Sequence, residues 1–424
     1  MELFERSAFI VSRGLLPADF LLPAKQDMSK WSVIACDQFT SEPGYWARVE
    51  ETVGKNPSTL HTILPEVYLE ADDTEARISQ LKETMHQYLE ESLFESYSGF
   101  VFVERRLSNN VIRRGIVGLI DLEEYSFESD SDTPIRSTEQ TVIERIPPRL
   151  SIRNGSPLEF SHVIMLFDDV QNTVIAPIEQ RKSSFELLYD FDLMESGGHI
   201  TGWLLDEKES ERVQSAFISL SENSQVLFAV GDGNHSLAAA KSNYELLKEQ
   251  VGEDAYLNHP ARYALVEAIN LYEPAMEFEA IHRIVFDTDV NDLLTRMNAF
   301  FNEQTTNNID SSLKYTLNFQ YVINGKSESV SFSSTQYSLP VAALQHFLDG
   351  YISETDGKID YIHGDSTLVN LTSENQNSIG FLLPPIDKST FFSDILKNGT
   401  FPRKTFSCGA AEDKRYYLEC RKIL

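Results

Sequence analysis

Five consecutive residues, Gly231-Asp232-Gly233-Asn234-His235, bring together three side chains capable of chemistry and two glycines. Asp232 can hold a metal or accept a proton, and His235 can bond an anion or a carbonyl. The apolar run Val226–Val230 before them reads as a buried strand, and Leu237-Ala238-Ala239-Ala240-Lys241 after them reads as a helix. A strand–turn–helix junction aims backbone N–H groups and the positive end of the helix dipole at one point. That point suits an anion, most often a phosphate, with Gly231, Gly233 and Asn234 lining it. The same residues also suit an ordinary tight turn, with Asn234 as helix cap and Asp232 as a turn residue.

A phosphate site in this chain has to gather cations, because the net charge is −29. That field repels nucleic acid and anionic membranes, so the expected partner is a small molecule. The densest cationic stretch is Arg136, Arg145, Arg149 and Arg153. Pro147-Pro148 within it argues against a continuous helix or strand. Arg136 and Arg149 are candidate phosphate ligands by bidentate contact, or the arginines line one exposed strand face. Glu139, beside Arg136-Ser137-Thr138, suits a general base that takes a proton from a substrate hydroxyl, or a solvent-facing ion pair. His282 and Arg283, and Lys404 in a second basic loop with Arg403, are further candidates for closing the phosphate site. Their alternatives are a strand-edge pair with Asp287 and a tail held to an acidic surface. The lone His61, His86, His162, His259 and His346 read as structural or solvated.

Zinc-type binding finds no support, since no His-x-x-x-His or Cys-x-x-Cys spacing occurs. Mg²⁺ carried in by ATP or ADP needs only one or two protein carboxylates, and Asp232 is the candidate. Cys36, Cys408 and Cys420 are odd in number and read as reduced thiols of a cytoplasmic protein. Asp37 beside Cys36 disfavours a thiolate nucleophile. The opening residues Met1–Arg6 lack the basic and apolar segments of a secretion signal, and no apolar run is long enough to span a bilayer.

The elements that must position these groups are those of a mixed α/β (α+β) chain with 42% hydrophobic residues, enough for a packed core. Strands are expected at 31–37, 100–105, 111–121, 162–167 and 281–286, and 261–269 is a buried apolar run. Helices are expected at 74–95, 177–195 and 208–221. A change of texture near 288 suggests one domain over 1–287 that carries the nucleotide or phosphate site. A smaller C-terminal α+β domain over 288–424 would follow. It would contain helices at 289–302, 340–353 and 389–398, a hairpin turned by Asn324-Gly325, and strands at 359–363, 378–383 and 415–420.

Several phrases together resemble the DUF1015 family: Ala35–Ser41, Arg136-Ser137-Thr138-Glu139, Ile146-Pro147-Pro148-Arg149, Gly231–His235, His282-Arg283, Tyr361–Gly364 and Pro402–Phe406. The resemblance spans nearly the whole chain. More distantly, the Asp232-Gly233 and His235 turn is similar to that of the ParB/sulfiredoxin-like nucleotide-binding group, which includes partition proteins, sulfiredoxins and free serine kinases. Asn234 and Ser236 depart from the basic residues usual there. The missing cation would then come from Lys241, from His282-Arg283 or from the Arg136–Arg153 segment. The resemblance implies a nucleotide-dependent phosphotransferase acting on a small hydroxyl compound, serine-like in kind. A non-catalytic nucleotide-sensing module and a phosphatase of small phosphorylated metabolites are the alternatives.

Overall fold

The computed structural model describes residues 14–40, 42–306 and 314–424. Met1–Arg6 and Ser41 lie outside the described residues. The chain forms two units, one built from residues up to Met276 together with Gly409–Leu424, the other from Glu277–Cys408. The texture change at 288 falls inside the second unit, and the last sixteen residues belong with the first.

The described residues of the first unit carry a nine-stranded mixed sheet. Its order is Tyr125–Ser126, Ile135–Arg136, Phe228–Asp232, Ile164–Phe167, Tyr263–Asn270, Ile112–Asp121, Val101–Arg106, His199–Leu204 and Glu186–Asp192. Pairing is parallel at the first two junctions and between Ile164–Phe167 and Tyr263–Asn270, and antiparallel elsewhere. The central strands are covered on both faces, which is why they read as nearly unbroken apolar runs. Phe167, Phe217 and Phe228 pack with ring centroids 5.1–6.3 Å apart in one core. Each such buried ring contributes about 1.5–3 kcal/mol. A second, antiparallel sheet runs Phe94–Gly99, Ala18–Pro23, Cys420–Lys422, Leu158–Phe160.

The second unit carries a six-stranded antiparallel sheet. Helices Val290–Thr306 and Pro340–Ser353 cover it around Leu293, Met297, Phe301, Phe319, Phe347 and Phe381. Its hairpin Tyr315–Ile323/Lys326–Ser334 turns at Asn324 (φ 49°) and Gly325 (φ 72°), both in the left-handed region that a two-residue turn requires.

Four local expectations are corrected. Ile146–Arg153 is a helix with its prolines in the first turn, where the missing N–H costs nothing. Residues 177–195 divide into a helix, Ile175–Arg181, and a strand, Glu186–Asp192. The strand wins because Tyr189 fits opposite Gly202, where any β-carbon would collide with its ring. Residues 31–37 are not a strand. A short helix, Met28–Trp31, is capped by Asp27, and after it only Ile34 bridges, to Tyr416. The last strand is Cys420–Lys422 rather than 415–420. Among the described residues no helix is long and apolar enough to cross a membrane.

Candidate functional site

The Phe228–Asp232 strand runs directly into the Asn234–Gln250 helix through Gly233, which takes φ 84°. A β-carbon there would lie 3.2 Å from Val163 Cα and 3.4 Å from His162 Nε2. Gly233 therefore serves both the left-handed backbone and the close approach of His162. Gly233→Ala is expected to cost about 1–2 kcal/mol for the backbone conformation, before any crowding. Urea unfolding checks this, and an unchanged midpoint would refute it.

The helix start is covered by the loop that follows Ile135–Arg136. Asn234 Oδ1 accepts from the Thr138 N–H at 3.2 Å and lies 2.6 Å from the Ser137 hydroxyl. The Thr138 hydroxyl donates to the Val230 carbonyl at 2.6 Å. His235 Nε2 accepts from the Val142 N–H at 3.3 Å, which assigns the proton of a neutral ring to Nδ1. Asn234 and His235 thus hold the loop that carries Glu139, itself partly buried. The N–H groups of a helix's first turn have no acceptor within the helix. The small face Ala238-Ala239 receives Ile146 and Leu150 of the Ile146–Arg153 helix, which brings Arg149 into this neighbourhood.

Asp232 is 15% exposed at the strand end, and its buried Oδ2 has no hydrogen-bond partner. The Lys414 ammonium lies 3.7 Å from that oxygen, on a side chain only 7% exposed. Beside it, His162 Nδ1 lies 2.8 Å from the Tyr417 hydroxyl. His162 Nε2 lies 3.4 Å from Ser236 Oγ and 4.0 Å from Asp37 Oδ1. Burial pushes the Asp37 carboxyl up. The charge of His162, a hydrogen bond from Gln38 and the charge of Lys414 outweigh it and hold the group below its ordinary value. Burial and Asp37 push the Cys36 thiol up to about 12, so it is not poised as a nucleophile.

Three arginines of the cationic stretch have partners of their own, and Arg145 is exposed. Arg136 Nε donates to the Thr133 carbonyl at 2.8 Å, Arg149 bonds Glu66, and Arg153 bonds Glu159 at 3.0 Å. Arg149 still lowers the Cys36 thiol slightly through its charge. Lys241 bonds the Leu122 carbonyl and Glu245. His282, Arg283 and Lys404 belong to the second unit. There His282 lies 2.8 Å from Asp365 and Arg283 reaches Gln345 and the Arg403 carbonyl.

Three site residues carried no local signal strong enough to single them out: Asp37, His162 and Lys414. His162 sits just before the Ile164–Phe167 strand, whose Ile164 pairs with Asp232. That antiparallel register is what brings it to the turn. Among the described residues no group of three or more His, Cys, Asp or Glu stands ready to hold a metal ion. Asp232, the carboxylate expected to hold a metal, has the Lys414 ammonium 3.7 Å from its Oδ2.

Among solved structures, the chain is similar to a conserved hypothetical protein from Pyrococcus furiosus, with 10% identity, 72% of this chain and 94% of that one covered, and TM-score 0.34. It is similar to a free serine kinase in complex with AMP, with 10% identity, coverage of 72% and 91%, and TM-score 0.37. It is also similar to C-terminally truncated SbnI from Staphylococcus aureus, with 8% identity, coverage of 69% and 81%, and TM-score 0.34. Likenesses this distant leave the site to be read from its own residues. No curated protein matches the chain. The family match is firm by contrast, running over residues 15–351, and the chain belongs to the family described as Protein of unknown function (DUF1015).

Proposed function

We propose that the Gly231–His235 turn binds the phosphates of ATP or ADP and that the chain is a phosphotransferase acting on a small hydroxyl compound, serine-like in kind. The observation that carries this reading is the Asp232 carboxylate. It is largely buried at the junction of strand and helix, with Oδ2 making no hydrogen bond. An enclosed carboxylate without its full complement of donors is costly to keep, and such groups concentrate where chemistry is done. Beside it the helix start offers the field and the N–H groups that phosphate oxygens require.

In this reading Gly231, Gly233 and Asn234 shape the phosphate end, and Asp232 would hold the Mg²⁺ that comes with the nucleotide, which would offset phosphate charge. Glu139, on the loop held by Asn234 and His235, accepts the acceptor's hydroxyl proton. The acceptor oxygen then forms a bond to the terminal phosphorus as the bond to the bridging oxygen breaks, leaving ADP from ATP or AMP from ADP. Such transfer depends on positioning and charge more than on covalent catalysis, which suits a site with no activated thiol.

The test is incubation with labelled ATP or ADP, Mg²⁺ and a panel of amino acids. Label is expected on a hydroxyl amino acid. Binding without transfer would favour a nucleotide sensor, and phosphate release from phosphoserine without nucleotide would favour a phosphatase. No binding at millimolar nucleotide would end the reading altogether.

A further inference from the structure

We infer that Arg153 anchors an oxyanion site of its own, distinct from the Gly231–His235 turn, and that this site takes a carboxylate or a phosphate. It shares no residue with the turn and stands whether or not the turn binds a nucleotide. The Arg153 guanidinium donates through Nη1 to Glu159 Oε1 at 3.0 Å. Its Nε and Nη2 are buried and make no hydrogen bond. Those two nitrogens form the fork edge of an arginine, which meets two oxygens of one carboxylate or phosphate side by side. Buried donors without an acceptor are rare in folded chains, and each calls for an explanation.

The charge around Arg153 calls for an anion in particular. Glu159, 4% exposed, is shared with Arg421, whose Nε donates to its Oε2 at 2.6 Å. One carboxylate thus faces two guanidiniums. Burial lowers Arg421, and the charge of Arg153 lowers it further against the pull of Glu159. Lys82 is a third cation. Its ammonium donates at 2.7 Å to the carbonyl of Asn154, the residue after Arg153. Burial lowers Lys82, and among the described residues no carboxylate offsets it. The helix Ile146–Arg153 ends here, and a helix end supplies only about half a negative charge. Three cations against one carboxylate and that helix end leave about one and a half positive charges unbalanced. The excess is local to a chain whose net charge is −29. An oxyanion on the open edge of Arg153 balances it. The approach is over the turn that follows: Asn154 and Gly155 are exposed, and a β-carbon at Gly155 would meet nothing within 4 Å. Glu159 and Arg421 face each other across the Leu158–Phe160 and Cys420–Lys422 strands, so a bound anion ties the helix end to the last strand of the small sheet.

Calorimetry and melting curves with inorganic phosphate and with acetate, at constant ionic strength, test this. Wild type is expected to bind at least one of the two saturably and to melt higher in its presence. Binding of phosphate alone would identify the ligand as a phosphate, and of acetate alone as a carboxylate, and either supports the site. Arg153→Lys keeps the charge and loses the fork edge, so it should weaken binding about 10–100-fold. Arg145→Lys, at an exposed arginine of the same stretch, should leave binding unchanged. Glu159 keeps Arg421 in the Arg153→Lys variant, which favours folding. Should it nevertheless fail to fold, Lys82→Met is expected to weaken binding about 2–5-fold, and unchanged affinity there overturns the inference. Equal affinity in wild type and folded Arg153→Lys puts the anion elsewhere, the turn included, and overturns it too. So does an equal loss in Arg145→Lys, or a wild-type chain that binds neither probe. A chain that binds phosphate or acetate through Arg153 but transfers no phosphoryl group ends the phosphotransferase reading and leaves this site standing.

Discussion

Asp232→Asn is expected to cut phosphoryl transfer by about 10²–10⁴-fold, the range for a positioned acid–base or charge-bearing group, while the chain still folds. The substitution keeps the shape of the side chain and removes only its charge. Stability should change little, because two effects oppose. Lys414 loses an ion pair, but a buried oxygen without a hydrogen bond no longer carries a formal charge. Steady-state turnover together with a melting curve checks the prediction. Full activity in a folded variant would remove Asp232 from the chemistry, and lost activity with a collapsed melting transition would reassign it to structure.

The largest stability effect is expected at Arg415. Its guanidinium, 3% exposed, meets Glu267, Glu419 at 2.7 Å and the Ser161 carbonyl at 3.2 Å. Glu267 and Glu419 are 2% and 1% exposed. Removing the cation strands two buried carboxylates, and breaking a buried pair in this way costs about 3–5 kcal/mol. Arg415→Met should therefore lower the urea midpoint of the native chain. The pH dependence has a definite sign. Burial alone would raise the Glu267 carboxyl, but Arg415 and Arg113 hold it below the ordinary 4.5. A depressed carboxylate contributes stability above its unfolded value and loses it as pH falls through the native one. The gap between wild type and variant should thus be widest near neutrality and shrink as pH drops below 4.5. An equal gap at all pH values would contradict this account.

How much of this was legible depends on how local the determining physics is. The turn at Asp232 was legible because an apolar run, two glycines and an alanine-rich stretch lie side by side. So was the Asn324-Gly325 hairpin, whose backbone signature needs only two residues. The Ile146–Arg153 helix was missed because Pro147-Pro148 reads as a breaker unless the helix is known to begin there. The Glu186–Asp192 strand depends on a partner residue without a side chain, Gly202, on the next strand. Nor does anything around Lys414 distinguish it from any other lysine. It lies beside Asp232 in the fold, next to an Asp413 carbonyl that accepts from Arg105 and Arg113, some 300 positions earlier. Asp37 was visible as the anion beside Cys36 and in a family phrase, but its neighbours His162 and Lys414 come from remote segments.

The return of Gly409–Leu424 to the first unit has a consequence for biosynthesis. In the small antiparallel sheet, Cys420–Lys422 lies between Ala18–Pro23 and Leu158–Phe160. Both flanking strands must wait for it with unpaired edges while the ribosome translates the whole of Glu277–Cys408, a segment that can close on itself as it emerges. Nascent chains halted before codon 420 should therefore expose sticky strand edges, and the guest will be finished before its host.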